Sequence, residues 1–324
     1  MYALEGLLHA VVFNERGSGR SISASELSLP LKDNEFLWLH FDYTADEAQD
    51  WVANESGLQE SDVEALLKEE TRPRAVISQN GLLVCLRGVN TNAGADPEDM
   101  VALRMWLDGK RIISTRFRSH AWEADIMQQF RNGEGPDSTG AFLVVVAEMM
   151  VERIHDLVGD LEDRVAEMEE SMLTYKTDAM RTQLADLRRQ TINLRRYLSP
   201  QREALARMQS DKLEWLGHED RLGLREVHDW MSRAVDDLDA TRERAAIANE
   251  ELANRMAEQL TQRMYMLSMI AALFMPLTFL TGLLGINVGG IPGADNKEAF
   301  LWVCYLLGGI GLLLYLLFRR RKWV

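Results

Sequence analysis

Cysteine is almost missing from this chain. Cys85 and Cys304 are the only two in 324 residues. They are too few for a disulfide framework and lack the Cys-x-x-Cys spacing of a zinc site, as expected in a reducing compartment. Histidine is scarce too, with six copies; His9, His40 and His120 are scattered and read as structural residues. No Walker loop, dinucleotide fingerprint or catalytic-triad spacing appears, so no enzyme is expected. Positive charge is in deficit: 36 Lys and Arg stand against 50 Asp and Glu, a net charge of −14. That balance argues against a nucleic-acid partner, which calls for a basic footprint. An acidic body can instead concentrate cations.

Long apolar runs are present, and there are two. Residues 264–286 and 299–318 carry no charge, and each is long enough to cross a bilayer core as a helix. Neither is N-terminal, so neither reads as a cleaved signal peptide. The expected organisation is a mixed sheet-and-helix domain over 1–138 and a helical region over 139–263. A first span over 264–286, a loop over 287–298, a second span over 299–318 and a basic tail over 319–324 follow. Arg255 and Arg263 precede the first span, Arg319, Arg320, Arg321 and Lys322 follow the second, and the loop has only Lys297. Lys and Arg collect on the cytoplasmic side, so both termini are expected there and the loop outside, in a multi-pass membrane protein. Two helices cannot enclose a polar path, so transport would need an oligomer.

Within the first domain, residues 7–13, 36–41, 75–77, 82–89, 101–107 and 111–117 have the pattern of strands. Residues 45–56, 60–68 and 120–130 read as helices, with Thr44 and Ser61 as N-caps. Asp108-Gly109 predicts a hairpin turn with positive φ, and Asn80-Gly81 a second such turn. Long helices are expected over 141–175, where seven acids accumulate between Asp156 and Glu170, and over 178–198, rich in arginine. These two are expected to pair as an antiparallel hairpin, and Pro200 to kink or end the second. Glu152 with His155, and His218 with His228, are conceivable cytoplasmic metal ligands, although surface Glu/His pairs of this kind arise readily by chance.

From Leu224 to Met275 there is neither glycine nor proline. Leu224, Val227, Met231, Ala234, Leu238, Thr241, Ala245, Ala248 and Leu252 recur at alternating steps of three and four, the 3.5-residue repeat of helices wound on one another. The same steps in the first span pick out Ala257, Thr261, Met264, Ser268, Ala271, Met275, Thr278, Gly282 and Gly285, all small, hydroxylic or methionine. Such a stripe is either a close-packing seam between helices or the lining of a narrow pore. Pro276 frees the carbonyl of Ala272, which a neighbour or cavity must satisfy.

Several segments together carry a resemblance: Glu70–Arg74 (ETRPR), residues 86–116, Met275-Pro276-Leu277-Thr278, Gly285-Ile286-Asn287 and the tail from Arg319 to Trp323. The chain resembles the CorA family of divalent-cation transporters, whose signature is Gly-x-Asn. The main branch of that family has Met in the middle; its zinc-transporting branch has Ile or Val. The resemblance implies an α+β cytoplasmic domain, long stalk helices and two C-terminal transmembrane helices in a homopentamer of the inner membrane. It implies that the first spans line the pore, with five copies of Asn287 at the mouth. Zn2+ would be the transported ion, with no tightly bound cofactor. Proton coupling has been proposed for that branch, but no acid lies within the spans here. Asp295 and Glu298 would draw cations in. Arg319, Arg320, Arg321 and Lys322 would form an inner basic belt that opposes cations or holds anionic lipid. The rival expectations are a Mg2+, Co2+ or Ni2+ channel of the same architecture and a membrane-anchored metal sensor that transports nothing.

Overall fold

The computed structural model describes residues 4–27, 29–68, 72–78, 81–172, 177–209, 213–286, 293 and 296–320, with backbone alone at 177–179. They fall into two compact units, Met1–Asn249 and Glu250–Val324. The first is built on a seven-stranded sheet of β1 (Leu7–Asn14), β2 (Gly19–Ser21), β3 (Glu35–Asp42), β4 (Arg74–Ser78), β5 (Gly81–Gly88), β6 (Val101–Leu107) and β7 (Arg111–Arg116), in the order β2-β1-β3-β7-β6-β5-β4. Only the β3–β7 pair is parallel. Six strands lie where the apolar runs predict them. β2 was not expected: three residues at a sheet edge, Gly-Arg-Ser, have no apolar period to read.

Alternation along the strands divides the side chains between two cores. Leu37, Leu39, Leu83 and Trp106 face α1 (Asp46–Asn54) and α2 (Glu60–Leu67), where Val52 and Leu66 are fully buried. Trp38, Val84, Leu86, Leu103 and Met105 face the opposite way, onto α3 (Ala121–Asn132) and α4 (Thr139–Ser171). That second core extends to α5 (Thr177–Met208) and the first part of α6 (His218–Leu284), through Leu194, Leu198, Leu224 and Val227.

Local chemistry departs from expectation in four places. The caps of α1 and α2 are Ala45 and Gln59, neither bonding through its side chain; Thr44 instead donates to Asp42 Oδ1 at 2.6 Å, and Ser61 lies inside α2. Gly109 has no positive φ. Its turn is closed by the Asp108 carboxylate, which accepts the N–H groups of Lys110 and Arg111 at 2.8 and 2.7 Å, an Asx arrangement. Glycine is needed there for space, because a Cβ would stand 2.9 Å from Trp215 Cβ. Asn80 of the second predicted turn lies outside the described residues. Pro200 does not end α5, which runs on to Met208.

The arginine helix α5 does lie against the acidic α4, as expected; the fourth departure is where its charges go. Arg195 of α5 bonds Asp239 of α6 at 2.5 and 3.0 Å, and Arg202 stands 3.8 Å from Asp236 of α6. The acidic α4 meets α6 as well, through Glu169 and Arg244 at 2.7 Å. Between α4 and α5 the bond is Arg164 to Gln190, at 2.9 Å. So α6, not the α4–α5 pair, joins these charges.

Candidate ion-conducting site

α6 is a single helix from His218 to Leu284, passing through Pro276. Its nine positions at 3.5-residue spacing, Leu224 to Leu252, are all buried, none more than 4 % exposed. The repeat predicted from sequence is therefore the inner seam of this helix. Among the described residues, α6 and α7 (Ala299–Arg320) are the two helices long and apolar enough to cross a membrane.

Carrying the 3.5-residue steps on from Leu252 reaches Met269, Leu273, Pro276 and Leu280. Those residues are only partly exposed, whereas their neighbours Leu267 and Phe274 are 68 % and 57 % exposed. On α7 the partly exposed positions are Ala299, Val303, Leu307, Ile310, Gly311, Leu314 and Phe318, which follow steps of three and four apart from the adjacent Gly311.

The stripe of small and hydroxylic residues lies elsewhere on α6. Thr261, Met264, Ser268, Ala271, Met275, Thr278 and Gly282 are all exposed. At about 100° per residue, their mean direction is about 140° away from the line of Met269, Leu273, Pro276 and Leu280. Off-stripe residues such as Ile270 and Phe279 are exposed as well, at 49 % and 67 %. The Thr261 hydroxyl donates to the Ala257 carbonyl at 2.8 Å, which leaves its oxygen lone pairs free to accept. Gly285 closes the helix by donating to Thr281 O at 2.9 Å, and a Cβ there would stand 2.9 Å from that same oxygen. Ile286 is exposed.

Asn287 and Asp295 lie outside the described residues, as do Arg321 and Lys322. Glu298 is exposed at the start of α7, its N–H bonded to Asn296 Oδ1 at 3.0 Å. Arg319 and Arg320 end the helix, where cations suit the negative end of its dipole.

The conceivable cytoplasmic ligands do not assemble. Among the described residues no three His, Cys, Asp or Glu side chains come together as metal ligands. His155 and His218 are exposed, and His228 Nδ1 stands 3.3 Å from its neighbour Asp229. Glu152 instead lies near Glu148, whose carboxyl is pushed up by burial and then by the charges of Glu226 and Glu152.

What the sequence reading missed is a buried polar network. His40, 0 % exposed, meets Ser114 Oγ through Nδ1 at 2.8 Å, and its Nε2 stands 3.4 Å from Glu123 Oε1. Arg116 pairs with the other Glu123 oxygen, and the His120 N–H donates to Glu123 Oε1 at 2.9 Å. His40 Nε2 is within ion-pair distance of the carboxylate but makes no hydrogen bond of good geometry. Burial opposes the charge on Glu123, but His40, Arg116 and the His120 N–H outweigh it and hold the carboxyl at about 2. Burial pushes His40 down and His120 down to about 4. Arg116 and His120 lie within seven residues of Glu123, but His40 comes from a strand about 80 residues earlier, so no spacing announces the network.

A mixed-sheet domain, a long buried-seam helix that runs into a striped apolar segment, and a second apolar helix are the elements the resemblance implied. The model of the CorA-like Mg2+ transporter protein family matches residues 33–320. The chain belongs to the CorA family. It is 38 % identical over 322 residues to the divalent cation transporter CmaX of Pseudomonas aeruginosa, covering 98 % of this chain and 97 % of that one. The solved full-length CmaX superposes with a TM-score of 0.87, covering 100 % of this chain and 99 % of CmaX. The zinc transport protein ZntB of Pectobacterium carotovorum is 34 % identical over 323 residues, covering 98 % and 96 % of the two chains. The CorA magnesium transporter of Methanocaldococcus jannaschii shares the fold at 17 % identity, with a TM-score of 0.83 over 98 % of this chain and 99 % of its own. This CorA-family chain is thus a divalent-cation transporter, from a family of ion transporters and not of enzymes.

Proposed function

We propose that the protein carries Zn2+ across the inner membrane through the central pore of a homopentamer, with both termini cytoplasmic. The observation that carries this reading is the exposed stripe opposite the shielded line of α6. A lipid-facing helix has no use for a face of Ser, Thr, Gly, Ala and Met, whereas five such faces around an axis offer hydroxyls and carbonyls to a hydrated ion. Asn287 would ring the mouth, its amide oxygen meeting the outer waters of the dication without stripping them. Thr278 and Met275 form the next rings inward. With no His or Cys on the stripe, Zn2+ passes hydrated rather than held in a tetrahedral site. Asp295 and Glu298 act as the outer cation lure, and Arg319, Arg320, Arg321 and Lys322 as the inner basic belt.

The relative named a zinc transport protein supports the choice of ion. The higher identity to CmaX favours a second reading, in which the same pore takes several divalent cations. Purified protein in liposomes tests both. Zn2+ uptake above that of protein-free vesicles is expected, and uptake equal to those vesicles would sink the transport reading. Excess Mg2+ that abolishes Zn2+ uptake would favour the broader channel. Asn287→Ala is expected to remove flux while leaving the oligomer intact; unchanged flux would take Asn287 out of the mechanism.

A further inference from the structure

A second feature of the first unit has nothing to do with a cation path. A cavity of about 400 Å3 opens where the carboxyl ends of the parallel pair β3 and β7 meet the end of β5 and the start of β6. In sheets with parallel strands, ligands gather in the crevice outside the carboxyl ends. α5 supplies the remaining wall.

The lining carries four guanidiniums. Arg104, 1 % exposed, lies deep in it over the ring of Tyr43, 5.0 Å from the centroid. Arg87 stands 4.9 Å over the ring of Tyr197 and donates to the Met100 carbonyl at 2.8 Å. Arg118 and Arg196 are exposed at the opening, and no ion pair joins either to a described residue. Against these stand two acids, Glu98 and Asp99. A formal charge of +2 (four Arg against two acids) is thereby concentrated in one cavity of a chain whose net charge is −14. A divalent cation is repelled there and an anion is attracted.

The remaining groups narrow the anion. Phe117 is 49 % exposed beside Arg118, and Tyr197 is half-buried with Arg87 and Arg196 against its ring. The exposed Phe117 ring, and guanidiniums already stacked on an aromatic ring, offer a flat heterocycle a stacking surface. The planar fork of arginine matches phosphate oxygens. Glu98 and Asp99 are hydrogen-bond acceptors, suited to sugar hydroxyls or an exocyclic amine. Inorganic phosphate would use only the first of these features and a nucleoside only the others.

We propose that this cavity binds a nucleotide, with its phosphates on Arg118 and Arg196 and its base against Phe117 and the guanidinium-covered ring of Tyr197. No glycine-rich phosphate loop takes part. The full chain, purified in detergent, is titrated with ADP in the absence of divalent cations and followed by calorimetry. ADP is expected to fill a single class of site, with adenosine and inorganic phosphate each at least about tenfold weaker. Losing two charge-assisted contacts in Arg118→Ala/Arg196→Ala is expected to weaken ADP at least about tenfold, with the melting temperature and elution volume unchanged. Three results would overturn the proposal: no ADP binding up to millimolar concentration, phosphate binding as tightly as ADP, or a double variant that binds like the parent. Failure of the oligomer in Arg118→Glu/Arg196→Glu, together with no ADP binding by the parent, would mark the cavity as a contact between copies and sink the nucleotide. None of these outcomes bears on Zn2+ flux, so transport and nucleotide binding stand or fall separately.

Discussion

Three groups converge on the Glu123 carboxylate, and their loss should be felt throughout the sheet domain. Glu123→Gln leaves the half-buried Arg116 without its counter-charge, and with partial solvent screening such a change costs about 2–3 kcal/mol. Denaturant unfolding read through Trp38 and Trp122, both buried in this core, should report a loss of that order; a loss below about 1 kcal/mol would show that the network is not what stabilises the domain. The pH dependence follows from the same groups. Glu123 falls from 4.5 unfolded to about 2 folded, so its contribution is full above about pH 4.5 and disappears as pH falls toward 2. His120 falls from 6.5 to about 4 because burial disfavours its charged form. The unfolded chain therefore binds that proton first, and stability is lost between about pH 6.5 and 4. His9, near the same charges and also lowered by burial, adds in the same direction. Domain stability should thus decline in two overlapping steps on acidification from pH 7, and a midpoint constant from pH 7 to 4 would contradict the assignment.

Turns and helices carry their own tests. If Gly109 is glycine because Trp215 presses on it, Gly109→Ala should lose about 1–2 kcal/mol by overpacking. In a Trp215→Ala background the same change should lose much less. A cost that persists without the indole would mean a backbone requirement instead. On α6 the buried seam and the exposed stripe predict opposite tolerances. Ser268→Leu fills the striped face and should stop flux, whereas Ile270→Leu, off the stripe and near-isosteric, should leave flux within about twofold. Equal effects of the two on liposome uptake would remove the distinction between the faces.

The single chain leaves the apolar surface of both spans exposed, Phe300 and Trp302 among it at 76 % and 66 %. Bilayer or other copies must cover that surface. Light scattering or native mass measurement on detergent-solubilised protein is expected to give five chains per particle; a monomer or dimer would leave the stripe without an axis to surround.

Much of this was legible in the residues because it depends on short-range periodicity. A 20-residue apolar run must cross a bilayer or be buried, and a 3.5-residue repeat must face another helix. Leu224 to Leu252, the six predicted strands and the two spans therefore follow from spacing alone. What spacing cannot convey is which distant groups share a neighbourhood. Arg195 finds Asp239 of α6 rather than an acid of α4, because a guanidinium pairs with whatever carboxylate the packing brings within reach. Gly109 reads as a positive-φ turn until Trp215 appears beside it. His40, Arg116 and His120 look unrelated until strand pairing and α3 bring them to one carboxylate. The order of residues determined that this chain enters a membrane on a long wound helix. Only the tertiary structure decided which line of that helix is partly shielded, because burial is set by neighbours and not by the order of residues.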